Sequence, residues 1–257
     1  MSQHYSEIFQ HRLVTADNSV FEHKPSHEIL KNLNGKAVFD ALQLRDKTVS
    51  MVDILAFYMK RDPKAMPYRV LDIGTGEGWI PILLEEQLKN TSVEVKEYHG
   101  IENDVDALFT ARKNSNTRKS RLCVYEADML EHRVSIIGSR ATGDNVILSA
   151  NLPYNTEAEW ETYPEAVKAE PKHAIVSWWE DGLDHYRELI RQLQPHIDQI
   201  HMLIFQGSSY RITQLYELCK QLVAPGMKFY IESDCYGKDR FVLGVRSELH
   251  EFESPVL

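Results

Sequence analysis

The chain has little cysteine, no long apolar run and no excess of positive charge. Cys123, Cys219 and Cys235 are too few and too scattered for a disulfide framework or a zinc site, which fits a reducing, cytoplasmic setting. The 11 histidines show no H-E-x-x-H or comparable ligand spacing, so no metal is expected. The longest apolar stretches, such as Ala174 to Trp179, fall far short of the ~18 residues of a membrane span. The opening from Met1 to Leu13 has no secretory apolar core. Lysine and arginine number 29 against 38 aspartates and glutamates, a net charge of −9. An acidic surface repels phosphate backbones, which disfavours nucleic acid as a partner without forbidding it. The cluster Arg112, Lys113, Arg118, Lys119 and Arg121 is the one basic patch to watch, and a solvated helix end explains it equally well.

What is present is a chain of 257 residues, long enough for one substantial core. Its centre is the run Val70 to Gly78, where apolar strand residues stop at Asp72 and give way to Gly74, Thr75, Gly76 and Gly78. A strand, a tight glycine bend and a helix start follow from that order. The bend needs positive φ, and a ligand must reach the backbone with no Cβ in the way. The dinucleotide pattern G-x-G-x-x-G is not met, and no lysine follows for a P-loop. The pattern Asp-x-Gly-x-Gly-x-Gly resembles motif I of the Rossmann-like S-adenosylmethionine-dependent methyltransferases, and an ordinary tight turn is the alternative.

From Tyr68 on, strand-like and helix-like segments alternate, which predicts a parallel sheet wrapped by helices. Strands are expected near 68–73, 95–102, 121–125, 144–150, 199–206, 228–235 and 240–246. The last two meet through Tyr236 to Asp239, as an antiparallel hairpin at the sheet edge. Helices are expected over Leu183 to about Gln194 and Ile212 to Leu222. Residues 1–67 read as a short, largely helical lead-in to a domain of 68–257. Within the lead-in, 36–40 reads as a short strand and Thr48 to Met59 as a helix with Ser50 and Asp53 as its capping pair.

Ligands of open α/β sheets sit at the carboxyl ends of the strands. Glu102 ends the second strand 24 residues after Gly78, where a carboxylate can accept both hydroxyls of a ribose; Asn103 follows it. After the third strand Asp128 can accept from an adenine amino group while Met129 packs on the ring. An exposed acidic strand end would look the same. The fourth strand runs into Asn151, Leu152, Pro153 and Tyr154. A planar nitrogen is a poor nucleophile, and accepting hydrogen bonds from both its N–H groups holds it in line as it rehybridises. The Asn151 side chain and the Leu152 carbonyl can provide those two acceptors, with Pro153 fixing the turn and Tyr154 covering the planar group. An ordinary Asn-x-Pro turn is the plain alternative.

Asn-x-Pro-Tyr after strand four resembles motif IV of methyltransferases that modify planar nitrogens. The spelling of residues 151–155 is similar to the ribosomal-RNA adenine dimethylases. The segments Tyr163 to Ala174 and Asp181 to Arg187, the stretch Asp234 to Gly244, Arg45-x-x-Thr48 and Ala111 to Asn114 resemble instead the protein-glutamine N5-methyltransferases that act on translation release factors. That likeness spans roughly residues 36–246. It implies a class I methyltransferase fold, α/β and Rossmann-like, with a seven-stranded mostly parallel sheet, helices on both faces and an antiparallel edge hairpin. It implies S-adenosyl-L-methionine as cofactor, held by Asp72, Gly74, Thr75, Gly76, Gly78, Glu102, Asn103, Asp128, Met129 and Asn151. Asn151, Leu152, Pro153 and Tyr154 would orient the acceptor, a release-factor-like protein. RNA adenine, a small-molecule amine and a non-catalytic cofactor-binding module remain alternatives, and the oligomeric state is open.

The chain departs from that family in three places. Leu152 stands where the family has a proline, and so adds an N–H that must find a partner. The lead-in is shorter than the family's helical domain. Trp178 and Trp179 stand where the family tends to small residues.

Overall fold

The computed structural model describes residues 46–62, 67–131, 133–137, 145–222 and 224–246. The strand expected at 36–40, Arg45 and most of the expected lead-in lie outside the described residues. Helix α1 spans Asp46–Arg61, with an acid in its first turn and Lys60 and Arg61 in its last, both favourable to the helix dipole. Val49, Val52, Ala56 and Met59 are buried along one stripe, the pattern of an amphipathic helix laid on a core. The expected capping pair is corrected. The described helix already includes Asp46, so Ser50 and Asp53 are buried in its interior rather than at its start. Ser50 Oγ donates to the Asp46 carbonyl at 3.0 Å and accepts from Cys235 N–H at 3.1 Å, and Asp53 accepts from Gln87 Nε2 at 3.0 Å.

The remaining order is β1 Tyr68–Ile73, α2 Trp79–Leu88, β2 Val95–Glu102, α3 Val105–Arg118, β3 Leu122–Glu126, β4 Asn145–Ala150, α4 Glu157–Glu161, α5 Glu165–Lys168, α6 Asp184–Leu193, β5 Ile200–Gln206, α7 Ile212–Cys219, β6 Met227–Ser233 and β7 Asp239–Arg246. All seven strands form one sheet in the order β3-β2-β1-β4-β5-β7-β6. β1 to β5 run parallel, while β7 is antiparallel to both β5 and β6. The expected edge hairpin is therefore present, with β7 inside the sheet and β6 at the edge. Its turn is closed by Asp234 Oδ1, which accepts from the backbone N–H groups of Tyr236 and Lys238 at 2.9 and 3.0 Å.

Neighbouring residues of a strand face opposite sides of a sheet. Leu71 and Ile73 accordingly join Leu148, Tyr186, Leu189, Phe205 and Leu215 in one cluster, against α6 and α7. Val70 joins Met51, Leu55, Leu83, Ile147 and Ile204 in the other, against α1 and α2. Burial on both faces makes the central strands read as unbroken apolar runs, as parallel strands do. Among the described residues no helix is long and apolar enough to cross a membrane.

At the amino ends of the strands Asp62, just after α1, accepts from Tyr68 Oη at 2.5 Å and from His201 Nε2 at 2.8 Å. All three side chains are buried, so the carboxylate ties α1 to β1 and β5 out of water. Asp62→Ala leaves two buried donors without their acceptor and is expected to lower unfolding free energy by about 2–4 kcal/mol, read from urea denaturation.

Candidate functional site

The carboxyl ends of β1, β2, β3 and β4 open onto one cavity of about 540 Å³. At the end of β1 the three glycines of the bend all have positive φ, 65° at Gly74, 56° at Gly76 and 83° at Gly78. Their missing side chains serve different ends. A Cβ on Gly74 would meet Leu152 Cδ2 at 2.7 Å, and one on Gly78 would meet Leu122 Cδ2 at 2.9 Å and Ala111 Cβ at 3.4 Å. A Cβ on Gly76 would meet nothing within 4 Å. Gly76 is thus the glycine open to the cavity, while Gly78 lets the start of α2 pack on β3 and α3.

Glu102, at the end of β2 and 8% exposed, holds this bend in place. Its Oε2 accepts from Gly76 N–H at 2.7 Å, and its Oε1 accepts from the N–H groups of Asn103 and Asp104, both at 2.9 Å. Asp104 in turn caps α3 by accepting from Ala107 N–H at 2.8 Å and pairs with His173 at 2.8 Å across the cavity. That backbone N–H, with His173 beside it, holds the Asp104 carboxyl below the usual range. Beyond β3, Met129 lines the cavity at φ 50°, a left-handed backbone that a non-glycine residue rarely adopts.

Past β4, Asn151, Leu152, Pro153 and Tyr154 all line the same cavity. The additional N–H of Leu152 has its partner: it donates to the hydroxyl of Tyr186, at 3.2 Å. Tyr154 Oη accepts from Gln206 Nε2 at 3.1 Å, at the end of β5. The turn continues into Asn155, whose backbone N–H donates to the Ile175 carbonyl at 3.1 Å and whose carbonyl accepts from Ser177 N–H at 2.8 Å. These bonds bring the segment ending in Trp178 to the cavity rim, where its indole is 80% exposed and tilts against His185 at 5.1 Å. Gly182 is needed beside them, because a Cβ there would fall 2.4 Å from the Tyr154 carbonyl.

Of the site residues expected from sequence, Gly74, Thr75, Gly76, Glu102, Asn103, Asp128, Met129 and Asn151 to Tyr154 line the cavity. Asp72 and Gly78 do not: Asp72 is buried beneath the bend, and Gly78 is buried at its end, where α2 starts. Thr48 of α1, His173, His185 and Gln206 also line the cavity; the first three fall in segments that resemble the release-factor enzymes but were not expected as site residues, and Gln206 carried no signal. Among the described residues, none that line it is lysine or arginine. The basic cluster of α3 lies elsewhere, with Arg121 paired to Glu85 at 2.7 Å and Arg112 donating to the Val124 carbonyl at 3.2 Å. Among the described residues no group of three or more His, Cys, Asp or Glu side chains could hold a metal ion.

No protein-family model matches the chain. It is 29% identical over 175 residues to the release factor glutamine methyltransferase of Bacillus anthracis, covering 67% of this chain and 57% of the relative. It is also 29% identical over 197 residues to the enzyme of that name from Bacteroides thetaiotaomicron, covering 76% and 56%. The chain thus spans little more than half the length of these relatives. Among solved structures, the N-terminal domain of human METTL16 in complex with SAH matches with a TM-score of 0.54 at 15% identity, over 95% of this chain and 92% of that one. Cofactor-bound Rv0187 from MTB matches at 0.50 with 13% identity, over 90% and 94%. The fold is that of the class I Rossmann-like methyltransferases, and in sequence the chain resembles the release factor glutamine methyltransferases.

Asp72 is fully buried and accepts from Ser149 Oγ at 2.6 Å. Burial pushes its carboxyl up to about 7, against the pull of the Ser149 and Thr75 hydroxyls and with help from the Glu102 charge. An acid whose pKa is higher folded than unfolded binds more protons in the native state, so its contribution to stability is full below the unfolded value near 4 and is lost as pH rises through 7. Urea denaturation between pH 4.5 and 8 is expected to show stability falling more steeply for the native sequence than for Asp72→Asn. Parallel slopes would contradict this account of Asp72.

Proposed function

We propose that this chain is an S-adenosylmethionine-dependent N-methyltransferase whose acceptor is the side-chain amide of a protein glutamine. The reading rests on one observation: the glycine bend held by Glu102 and the Asn151 to Tyr154 turn open onto the same cavity. The release factor glutamine methyltransferases named above support it. We take residues 1–67 as a lead-in to a transfer domain of 68–257, with α1 packed into that domain's core.

The residues present fit the cofactor. Gly76 leaves the space that a side chain would fill, and Glu102 keeps an unused lone pair on Oε2 after accepting from Gly76. When bound, the cofactor supplies a methyl group on a sulfonium, a strong electrophile that needs no further activation. Gly74 and Gly76 would admit it, Glu102 and Asn103 would hold its ribose, and Asp128 and Met129 its adenine. Asp72 would support the bend from beneath and Gly78 at its end.

The chain's own contribution is to position the acceptor. Asn151 Oδ1 and the Leu152 carbonyl would each accept one N–H of the amide, turning the nitrogen lone pair toward the methyl group. The Asn151 side chain makes no hydrogen bond to the described residues, which leaves it available. Tyr154, braced by Gln206, would cover the face of the planar group. Among the described residues the cavity lining carries no lysine or arginine, which suits a neutral amide better than a nucleotide followed by phosphates. The Asn-Leu-Pro-Tyr spelling supports a second reading, transfer to an RNA adenine.

Incubation with methyl-labelled cofactor and separated protein, RNA and small-molecule fractions discriminates these readings. Label is expected in the protein fraction, on glutamine. Label in RNA or in small molecules selects those acceptors instead, and binding without transfer to any fraction leaves a non-catalytic module. Removing one of two hydrogen bonds at the acceptor costs about 1–3 kcal/mol, so Asn151→Ala is expected to slow transfer ~10- to 100-fold. Cofactor affinity, measured by calorimetry, is expected to fall less than the rate, because Asn151 is one of several residues expected to hold the cofactor.

A further inference from the structure

We propose that Tyr186 is a positioning residue for the acceptor turn, doing through a hydrogen bond what a proline ring would do at position 152. The proposal rests on the reading above, in which the Leu152 carbonyl faces the acceptor. Its footing is a single buried hydroxyl shared by the ends of two strands and the turn between them and the cavity.

Tyr186 lies in α6 and is fully buried. Its hydroxyl touches three backbone groups: it donates to the Gln206 carbonyl in a short bond, accepts from Leu152 N–H at 3.2 Å, and lies 3.4 Å from the Ala150 carbonyl. A phenol has one proton and two lone pairs. The proton goes to Gln206, the closest carbonyl, and a lone pair remains for Leu152. No other arrangement satisfies both bonds, because Leu152 N–H can only donate. Burial raises the phenol far above its ordinary pKa, so the proton stays in place over the working pH range.

The consequence for the turn is geometric. Leu152 N–H and the Asn151 carbonyl belong to one rigid peptide plane. Fixing that N–H fixes the plane, and leaves the rotation that aims the Leu152 carbonyl as the remaining freedom. Pro153 removes much of it, since the residue before a proline is confined to extended conformations. The Leu152 side chain supplies a second anchor, its Cδ2 filling the space left by Gly74. A proline at 152 would lock φ directly and would carry no N–H to satisfy. The leucine therefore needs Tyr186, and Tyr186 connects the turn to β5 through Gln206.

The first test does not depend on activity. Hydrogen exchange on the protein without cofactor is expected to show the Leu152 amide protected in the native sequence and at least about tenfold less so in Tyr186→Phe, while Leu148 in β4 is unchanged. Equal protection of Leu152 in both proteins overturns the hydrogen bond. The second test uses the acceptor fraction that takes label. Tyr186→Phe is expected to lower kcat about tenfold, the effect of one lost hydrogen bond on aim, with cofactor affinity unaltered. In a Leu152→Pro background the same substitution is expected to cost no more than about twofold, because no N–H is left to orphan. An equal loss in both backgrounds gives Tyr186 a merely structural role and overturns the proposal. Failure of the methyltransferase reading shows separately, as a native protein that labels no fraction.

Discussion

The structure depends on one carboxylate, that of Glu102. It accepts three backbone N–H groups, from Gly76 on the bend after β1 and from Asn103 and Asp104 at the start of α3. Each is a charge-assisted bond in a nearly water-free place, where such bonds contribute about 1.5–3 kcal/mol. The end of β2, the glycine bend and the cap of α3 are thereby held to one carboxylate, in addition to the Thr75 N–H bond to the Ile101 carbonyl at 2.9 Å. The bend is also tied by Gly78 N–H to the Thr75 carbonyl at 2.9 Å and by Asn114 Nδ2 to the Glu77 carbonyl at 3.0 Å. Glu102 adds the tie at Gly76, the bend's glycine with no Cβ neighbour, where positive φ leaves the backbone its widest freedom.

The opposite wall of the cavity is built on hydrogen bonds from neutral groups. Tyr186 bridges the ends of β4 and β5, Gln206 braces Tyr154, and the Asn155 backbone pairs with the segment from Ile175 to Ser177. The two walls touch where the Leu152 side chain enters the space vacated by Gly74. A shift of the acceptor turn is therefore felt by the bend, since packed side chains transmit displacement rather than absorb it. The charged wall suits the polar, partly cationic cofactor S-adenosylmethionine.

The strands were almost wholly legible in the sequence, because β1, β4 and β5 are buried on both faces and so are mostly apolar, with Asp72, Ser149, His201 and Gln206 as exceptions that find partners. The carboxyl-end rule then placed Glu102, Asp128 and Asn151 to Tyr154 around one cavity. What stayed illegible depends on distance along the chain. Tyr186 fell in a segment that resembles the release-factor enzymes, but nothing there named its partner, and only the fold brings its hydroxyl to Leu152, 34 residues away. Ser50 and Asp53 have the spacing of a cap, but their partners are Cys235 and Gln87. Gly78 resembled its two neighbours in the motif, yet its constraint comes from Leu122 and Ala111. The left-handed backbone of Met129 leaves no trace in composition, since nothing about methionine favours it.

Asp72 explains how the bend tolerates an acid beneath it. Its Oδ1 is satisfied by Ser149, while Oδ2 is buried with no partner, as is the neighbouring Thr75 Oγ1. A bare carboxylate in that position would add a second negative charge close to Glu102, and the two would repel in a medium that screens weakly. Protonation removes that charge. The raised pKa is the thermodynamic trace of this arrangement. Asp72 and Ser149 thus support the bend from beneath, while the Glu102 carboxylate accepts the N–H of Gly76 at its rim and lines the cavity.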